Sequence, residues 1–322
     1  MRKHPCPAFP LHSVLPVILL IVFVFLTSNE SRADLIFVSN SGAGTVQKID
    51  SLGNVTTFVS GLNNPQGLAF DGAGNLYVAN AGDGTISEIS PAGQLSVYAS
   101  GLSAPAALAC DPSGNLYVAS PGTQTISKID PSQNASLWAT GFAFNGDGSH
   151  LSCDALGNLY ANTTRTIEKF DQSGNQSTLF TLPNYVEGMA VNGAGNLYYG
   201  LQNADSISGT GSLNTSPASY PAPFTDAEFI PSFAANFDAP ADLAFDSGGN
   251  LFASFSQMYD FNQNSTVNDV IIEFGADGQN SVIATGVGGT YLAVAPVPEP
   301  GTWALFSCGL AVLLGFKKNR PS

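Results

Sequence analysis

Three side chains that can exchange protons or bind a hard cation occupy neighbouring places in three related stretches of the sequence. They are His150 in Ser-His-Leu, Asp242 in Ala-Asp-Leu and, one place earlier, Glu187 in Glu-Gly-Met. Two carboxylates and an imidazole can act as acid and base, and carboxylates also bind Ca²⁺. The alternative is that Glu187 is a hydrated acid and His150 a hydrogen-bonded turn residue. We favour this alternative, because no confirming partner residues accompany Glu187.

Further binding candidates lie where extra residues interrupt the sequence pattern. Tyr259 and Asp260 belong to an insertion over 257–269, and a second insertion covers 201–230. Aromatic rings beside a carboxylate on a long loop can form a rim that binds carbohydrate or peptide, although a polar insertion without a ligand explains the composition equally well. Gln66 is the last candidate, since it holds the place in its stretch that Glu187 holds in its own.

Common catalytic signatures are absent from the sequence. It contains no Gly-x-Ser-x-Gly, phosphate loop, His-Glu-x-x-His or Cys-x-x-Cys. His4 and His12 lie near the amino terminus, so His150 is the single histidine of the remaining chain. This disfavours a Ser-His-Asp triad and a histidine-based metal site. Cys110 and Cys153 hold equivalent places in neighbouring stretches, and we predict that they are free thiols in the core.

The elements that must position these residues are set by a repeat of about 40 residues. Pro65–Ala104 reads as four short runs of β-formers separated by turns rich in Gly, Asn, Asp and Pro, and the next stretch matches it almost position for position. Four antiparallel strands in such a unit are typical of a propeller blade. A Gly-Asn-Leu turn marks the copies, with its asparagine at Asn75, Asn115, Asn158, Asn196 and Asn250.

A sixth copy begins at Ile36 without its first strand, and Gly289–Val294 has the form of that missing strand. We therefore predict an all-β, six-bladed propeller of four-stranded antiparallel blades over 34–295, in which the carboxyl-terminal strand closes the first blade. The first strand of each blade should line a central channel. Glu187, His150 and Asp242 would then converge at the upper face, which we define by the turns before the first strands and between the second and third strands.

The pattern Pro-x-Gly-Leu-Ala-Phe-Asp-x-x-Gly-Asn-Leu-Tyr-Val-Ala, read from Pro65 to Ala79, resembles NHL-type repeats and the six-bladed propellers of the gluconolactonase and virginiamycin-lyase superfamily. The resemblance implies a fold rather than one function, since such propellers include binding proteins, hydrolases and lyases. In gluconolactonase-like enzymes a Glu before a Gly on an inner strand binds the metal, which implies a metal ligand at Glu187-Gly188, with Ca²⁺ as a candidate ion. The Asn and Asp partners of that site have no counterpart at the equivalent inner positions.

The charge of the chain excludes one class of partner. Between Asp34 and Ala295 it has 22 acidic residues and four basic ones, and the whole chain has a net charge of −14. Nucleic acids and anionic lipids require a cationic surface, so we predict neither as a partner. An acidic surface suits an exported protein.

The amino-terminal segment, 1–33, has the composition of a secretory signal peptide. Arg2 and Lys3 precede an apolar run of 13 residues, Val14–Leu26, and small residues flank a cleavage point between Ala33 and Asp34. The run is short for a membrane span, although an uncleaved anchor is the alternative. Both interpretations predict export of the repeat domain.

The carboxyl-terminal segment, 296–322, combines a Val-Pro-Glu-Pro element, a short apolar segment at 302–316 and a basic end. This arrangement resembles the PEP-CTERM sorting signal, although a plain membrane anchor would share its apolar and basic parts. The resemblance implies that an exosortase of a Gram-negative bacterium recognises the motif Pro298, Glu299 and Pro300. The protein would be anchored transiently in the inner membrane and then delivered to the cell surface, outer envelope or extracellular matrix.

These observations predict an exported binding or display module, associated with exopolysaccharide or another envelope component, that catalyses no reaction. The alternative is a metal-dependent, gluconolactonase-like hydrolase or lyase with its site at the upper channel mouth.

Overall fold

The architecture was analysed in a computed structural model of the chain. It describes residues 35–144, 149–182, 185–201, 212–215, 235–237, 240–260, 265–275, 280–289 and 291–296. Within these ranges the chain forms 24 β-strands and no helix, and every strand pairing is antiparallel. The strands form six separate sheets, which confirms the predicted all-β propeller class.

The strands have the following bounds, blade by blade. Blade one contains β1 (Ile36–Asn40), β2 (Thr45–Ile49) and β3 (Val55–Ser60), blade two β4 (Pro65–Phe70), β5 (Leu76–Asn80), β6 (Thr85–Ile89) and β7 (Leu95–Ala99), and blade three β8 (Ala107–Cys110), β9 (Leu116–Ser120), β10 (Thr125–Ile129) and β11 (Ala135–Thr140). Blade four contains β12 (Leu151–Cys153), β13 (Leu159–Asn162), β14 (Thr166–Phe170) and β15 (Gln176–Thr181), and blade five β16 (Val186–Val191), β17 (Leu197–Leu201) and β18 (Ser212–Thr215). Blade six contains β19 (Ala235–Phe237), β20 (Asp242–Phe245), β21 (Leu251–Asp260), β22 (Ser265–Phe274) and β23 (Asn280–Ala284), and β24 (Leu292–Val294) returns to blade one.

The ring is closed by the last strand. Strand β24 pairs with β1, with Leu292 opposite Val38 and Val294 opposite Ile36. The Ser39 N–H also donates to the Tyr291 carbonyl at 2.9 Å. This confirms the predicted completion of blade one by the carboxyl-terminal strand. The six innermost strands contact one another in the circular order β24, β4, β8, β12, β16, β20 and back to β24.

The turn between the first and second strands of a blade is built on one aspartate. In blade two, Asp71 Oδ1 accepts the Asn75 N–H at 2.8 Å and Asp71 Oδ2 accepts Asn75 Nδ2 at 2.9 Å. Gly74 has φ +85°, a left-handed conformation that a β-carbon would strain. The motif therefore repeats because each of its residues satisfies a backbone or side-chain requirement of the turn.

The core consists of apolar layers between neighbouring blades. Ile36 and Val38 of blade one are buried together with Phe252 and Ile271 of blade six. The other face of blade one packs on blade two, where the ring of Phe37 meets that of Phe70 edge to face, with centroids 5.2 Å apart. Both faces of a blade are thus covered by its neighbours, which leaves the innermost strand edges along the channel.

Blades five and six differ from the predicted design. The described part of blade five has three strands rather than four, and one of them, β18, lies within the insertion at 201–230. The insertion at 257–269 extends a hairpin: β21 and β22 are 10 residues long each and pair from Leu251–Phe274 to Asp260–Ser265. Strand β19 pairs with the outer end of β21 and gives blade six a fifth strand.

Candidate functional site

A buried histidine and aspartate meet across the centre of the ring. His150 immediately precedes β12, and Asp242 begins β20, two positions further around the ring. His150 Nδ1 lies 3.1 Å from Asp242 Oδ1, and His150 is only 3% exposed. The structure therefore brings together two of the side chains singled out in the sequence.

The Asp242 carboxylate is held by backbone donors as well as by the imidazole. Its Oδ1 accepts the Leu243 N–H at 2.9 Å, and its Oδ2 accepts the Leu292 N–H of the closing strand at 2.9 Å. In all of these hydrogen bonds the Asp242 side chain is the acceptor. In the neutral imidazole, His150 Nδ1 then carries the proton that is donated to Asp242, and Nε2 carries the lone pair.

His150 Nε2 is a buried nitrogen without a hydrogen-bond partner in the described part of the chain. A buried polar atom without a partner costs free energy, and such atoms are uncommon in folded proteins. The imidazole packs beside the Tyr291 ring, with centroids 5.9 Å apart. Tyr291 precedes β24, which faces β12 across the ring, so the two rings meet near its centre.

Small residues make room for this group. His150, Asp242 and Tyr291 occupy equivalent positions on three of the inner strands. The same position on the other three inner strands holds Gly67, Ala107 and Gly188. A β-carbon on Gly188 would lie 3.0 Å from the Pro240 carbonyl oxygen and 3.0 Å from Leu243 Cγ. Glycine therefore lets β16 approach β20 closely, which brings His150 within reach of Asp242 over the intervening strand.

Asn162 of β13 fixes the backbone at His150. Its Oδ1 accepts the His150 N–H at 2.7 Å, and its Nδ2 donates to the Val186 carbonyl at 3.1 Å. One amide thus links the inner strands of blades four and five. Neither Asn162 nor Tyr291 is among the candidate residues predicted from the sequence. Tyr291 could have been found, because it immediately precedes the leucine of its inner strand just as His150 and Asp242 do.

A cavity of about 490 Å³ runs along the channel from this group. Its inner end is formed by buried residues, including His150, Asp242 and Tyr291, and its outer end by exposed turn residues such as Gly72 and Pro112. Those turns join the first and second strands of the blades, and we call this end the lower face. The cavity therefore extends from the histidine toward the lower face, and the predicted site at the upper channel mouth lies at its other end.

Four of the turn aspartates, Asp71, Asp111, Asp154 and Asp246, line the outer part of the cavity. Their oxygens accept protein N–H and O–H groups; in blade four, Asp154 Oδ2 accepts Asn158 Nδ2 at 2.7 Å and the Tyr160 hydroxyl at 3.1 Å. Burial raises the pKa of Asp154, but the hydrogen bonds from Asn158, Tyr160 and the Leu156 N–H outweigh it and lower the pKa overall. Asp154 Oδ2 also lies 3.9 Å from Lys169 Nζ, so the negative charge of the mouth comes mainly from the other three carboxylates, while all four serve the turns.

Two thiols also line the cavity. Cys110 and Cys153 are partly buried free cysteines at the ends of β8 and β12, as predicted. Burial is the main cause that raises the pKa of both thiols, and neighbouring aspartates such as Asp111 raise it further. Both are therefore neutral thiols at physiological pH, poor as nucleophiles and as metal ligands.

The remaining predicted site residues do not join the histidine. Glu187 and Gln66 are half-buried on β16 and β4, outside the set of residues that line the cavity, and Gln66 Nε2 donates to Asn64 Oδ1 at 3.3 Å. Tyr259 and Asp260 end β21, and their side chains lie outside the described residues. Among the described residues, no group of three or more His, Cys, Asp or Glu side chains could hold a metal ion.

The terminal segments fall outside the described ranges. These include the cleavage point at Ala33 and Asp34, the motif Pro298, Glu299 and Pro300, and the apolar segment 302–316. Within the described ranges, no helix is long and apolar enough to cross a membrane. The predictions of a signal peptide and a sorting signal therefore rest on the sequence alone.

No protein-family model matches the sequence, and a search of curated proteins also found no match. Solved structures do match. A protein of unknown function from Bacteroides caccae superposes with a TM-score of 0.60 at 13% identity, covering 82% of this chain and 99% of that one. A gluconolactonase from Xanthomonas campestris superposes with a TM-score of 0.55 at 14% identity, covering 82% and 93%.

Virginiamycin B lyase from Staphylococcus aureus is a further structural neighbour. It superposes with a TM-score of 0.51 at 15% identity, and the match covers 79% of this chain and 85% of the lyase. The same lyase is known with quinupristin as a catalytically inactive variant in which a histidine is replaced by alanine. At these identities the comparisons show a shared propeller fold and leave the chemistry of this chain to its own residues.

Proposed function

We propose that this protein is an exported, NHL-like β-propeller that binds a small ligand in its channel, at the His150–Asp242 pair, without catalysing a reaction. The observation that carries the proposal is the buried His150 imidazole, which is oriented by Asp242 and has no partner on Nε2. A pocket of about 490 Å³ is within the range of small-molecule sites. A ligand that hydrogen-bonds Nε2 would supply the missing partner.

Export and sorting belong to the same proposal. The segment 1–33 would direct the chain out of the cytoplasm, and an exosortase would recognise Pro298, Glu299 and Pro300. The protein would then act at the cell surface, in the outer envelope or in the extracellular matrix, in contact with exopolysaccharide or another envelope component. The acidic composition of 34–295 argues against nucleic acid as a partner, which agrees with a location outside the cytoplasm.

Ligand binding is tested by screening small soluble compounds against the full chain by saturation-transfer NMR. We expect a subset of compounds to bind with dissociation constants near the millimolar range or below, and His150→Phe to weaken them at least tenfold, because phenylalanine fills the same space without an acceptor nitrogen. Leu137→Ser, at an exposed site on β11, is the matched control that should leave binding unchanged. A screen in which no compound depends on His150 would refute the proposed function.

Sorting is tested by mass spectrometry of the protein recovered from its native cells. We expect the mature polypeptide to begin near Asp34 and to end near Pro298, without the basic residues Lys317, Lys318 and Arg320. Replacement of Glu299 by Ala should cause the uncleaved form to accumulate in the inner membrane. Full-length protein in most wild-type molecules would contradict exosortase processing.

A second candidate function is a lyase that uses His150 as a general base. It is favoured by the pairing of Nδ1 with a carboxylate, which leaves Nε2 able to accept a proton, and by the neighbouring lyase whose histidine variant is inactive. Each compound that binds should be followed by NMR for hours. Conversion that is lost in both His150→Phe and Asp242→Asn would establish the lyase and overturn the non-enzymatic assignment.

The metal-dependent hydrolase remains a separate alternative, centred on Glu187. It requires Ca²⁺ or another divalent ion bound to the purified protein and lost on Glu187→Ala. We expect elemental analysis to find no such ion and Ca²⁺ to leave the melting temperature of both proteins unchanged. A stoichiometric ion that depends on Glu187 would favour the hydrolase.

A further inference from the structure

The described residues that line the channel cavity carry one sign of charge. They include five aspartates and no lysine or arginine, and the only other titratable side chains among them are His150, Tyr291 and two neutral thiols. The aspartates are Asp71, Asp111, Asp154, Asp242 and Asp246. A low-dielectric cleft lined by one sign of charge concentrates ligands of the opposite sign and repels those of its own.

The inner end of the cavity, at His150, calls for a hydrogen-bond donor. In the neutral imidazole, His150 Nδ1 donates to Asp242, so the unpartnered Nε2 presents a lone pair. Asp242 already receives N–H groups from Leu243 and Leu292. A ligand that satisfies this end must therefore bring an N–H or O–H group to Nε2, and a positively charged one would also be attracted by the Asp242 carboxylate.

Between the inner end and the acidic mouth, apolar residues contribute to the wall. Leu108, Leu151, Met189, Leu243 and Leu292 line this part of the cavity, one from each of five inner strands. Burial of an apolar group here is favourable by roughly 25 cal/mol for each Å² removed from water. The cavity thus combines an acceptor at its inner end, an apolar middle and a negatively charged entrance.

We propose that the ligand is a small organic ammonium compound with an apolar body, which enters from the lower face and donates an N–H to His150 Nε2. This inference rests on the proposed function and names the chemical class of its ligand. Because Nε2 is buried, with the Tyr291 ring among its neighbours, the ligand reaches it only after neighbouring side chains move.

The test uses three probes that share one body and differ in one group: 2-phenylethylamine, 2-phenylethanol and phenylacetate. Isothermal titration or NMR titration of the full chain at neutral pH should give the tightest binding for the amine. The alcohol should bind at least fivefold more weakly, and the carboxylate should not bind at millimolar concentration. His150→Phe should weaken the amine at least tenfold.

Two further variants separate charge from shape. Asp246→Asn removes one carboxylate from the mouth. Blade five forms the same turn on an asparagine, Asn192, whose Oδ1 accepts the Asn196 N–H at 2.9 Å, so the turn should persist with some loss of stability where the new amide faces Asn250 Nδ2. This variant should weaken the amine two- to fivefold and leave the alcohol unchanged. Tyr291→Ala should accelerate association of the amine, and circular dichroism establishes that each variant is folded.

The outcomes distinguish the two proposals. If the alcohol or neutral compounds from the wider screen bind in a His150-dependent manner and the amine binds no better, the ammonium inference is wrong while the channel remains a binding site. If the carboxylate binds best, the charge argument is wrong. If no compound in the screen depends on His150, the proposed function fails together with this inference.

Discussion

The His150 imidazole owes its orientation to a carboxylate that is itself fixed. Asp242 accepts the Leu243 and Leu292 N–H groups, and Leu292 belongs to the strand that closes the ring. Removal of Asp242 would take away the acceptor of His150 Nδ1 and of the Leu243 and Leu292 N–H groups in a buried place, at a cost of roughly 1–3 kcal/mol for each group left unpaired. The pair thus connects the channel site to the closure of the fold.

The sequence was sufficient to place His150 and Asp242 at the same height on two inner strands, because the repeat fixes their register. It could not show that the side chains touch, since that depends on the ring diameter and on the close approach allowed by Gly188. It also could not show that the cavity extends toward the lower face. The direction in which the cavity runs depends on which side chains fill the channel, and Tyr291 is one that was not predicted to lie there.

Acid sensitivity is predicted from the turn aspartates. The pKa of Asp154 lies below its usual value of 3.8, because hydrogen bonds outweigh burial. A carboxyl whose pKa is lowered on folding contributes stability above its unfolded pKa and loses it as the pH falls through the folded pKa. Urea unfolding midpoints should therefore be constant above about pH 5 and should fall below about pH 4.

Replacement of Asp154 by Asn should cost roughly 1–2 kcal/mol at neutral pH, because an amide in place of Oδ2 would face the Tyr160 hydroxyl and Asn158 Nδ2. It should also reduce the dependence of the midpoint on pH below about 4. Asp171→Asn, in a turn that lacks the tyrosine, is the control and should have the smaller effect on stability. An equal loss in both variants would contradict the role given to the tyrosine.

Each inner strand acts both as part of a blade and as part of the channel wall. This double use explains why a short strand such as β24 has large consequences: its three residues complete blade one, contact β4 and β20, and supply an N–H to Asp242. The sequence analysis identified this strand because Gly289–Val294 repeats the form of Pro65–Phe70. Closure was therefore readable from the repeat.

Where the repeat is interrupted, the structure could not be read in this way. The residues 257–269 are polar, and polarity suggested a loop; instead, most of them extend the hairpin of β21 and β22. Antiparallel pairing can continue beyond the core because the backbone satisfies its own hydrogen bonds whatever the side chains. The pairing of β19 with β21 also could not be predicted from the sequence, because the repeat contains no strand that corresponds to β19.

Ring closure is tested by Ala293→Pro. Ala293 lies opposite Phe37 in the pairing of β24 with β1. The Ser39 N–H donates to the Tyr291 carbonyl and the Ala295 N–H donates to the Leu35 carbonyl. Since hydrogen-bonded pairs alternate along an antiparallel ladder, Phe37 and Ala293 form a hydrogen-bonded pair. Proline removes the Ala293 N–H and with it a hydrogen bond between β24 and β1, which should destabilise the protein by roughly 1–3 kcal/mol. Ala135→Pro, at the start of the outermost strand β11, is the control and should cost far less in urea unfolding. Equal unfolding midpoints would show that β24 contributes little to closure.

The chain as a whole carries a large negative charge. With a net charge of −14, carboxylates repel one another throughout the surface, and this repulsion opposes folding. Among the described residues, two lysines lie over aromatic rings: Lys128 is 4.7 Å from the Trp138 ring centroid and Lys169 is 5.0 Å from that of Tyr160. Most of the negative charge is therefore balanced only by dissolved ions.

We expect the melting temperature to rise by several degrees between about 20 mM and 500 mM NaCl, because the Debye length falls from roughly 20 Å to about 4 Å over this range. Differential scanning fluorimetry measures the shift, and KCl should reproduce it. Trehalose is uncharged and cannot screen charges. The change in melting temperature that it causes at the same osmolarity therefore measures the general solute effect, and the rise in NaCl should exceed it. A melting temperature that falls with NaCl would show that attractive ion pairs dominate instead.

The pairing of β24 with β1 also orders events in time. The two strands lie at opposite ends of the propeller sequence, so a chain emerging from the ribosome or passing through a membrane pore exposes Ile36–Asn40 long before Leu292–Val294 is available. Until then, β1 has a free edge that can accept a strand from another molecule. A holding chaperone that protects this edge would raise the yield of folded protein. Its protection is needed until β24 pairs with β1.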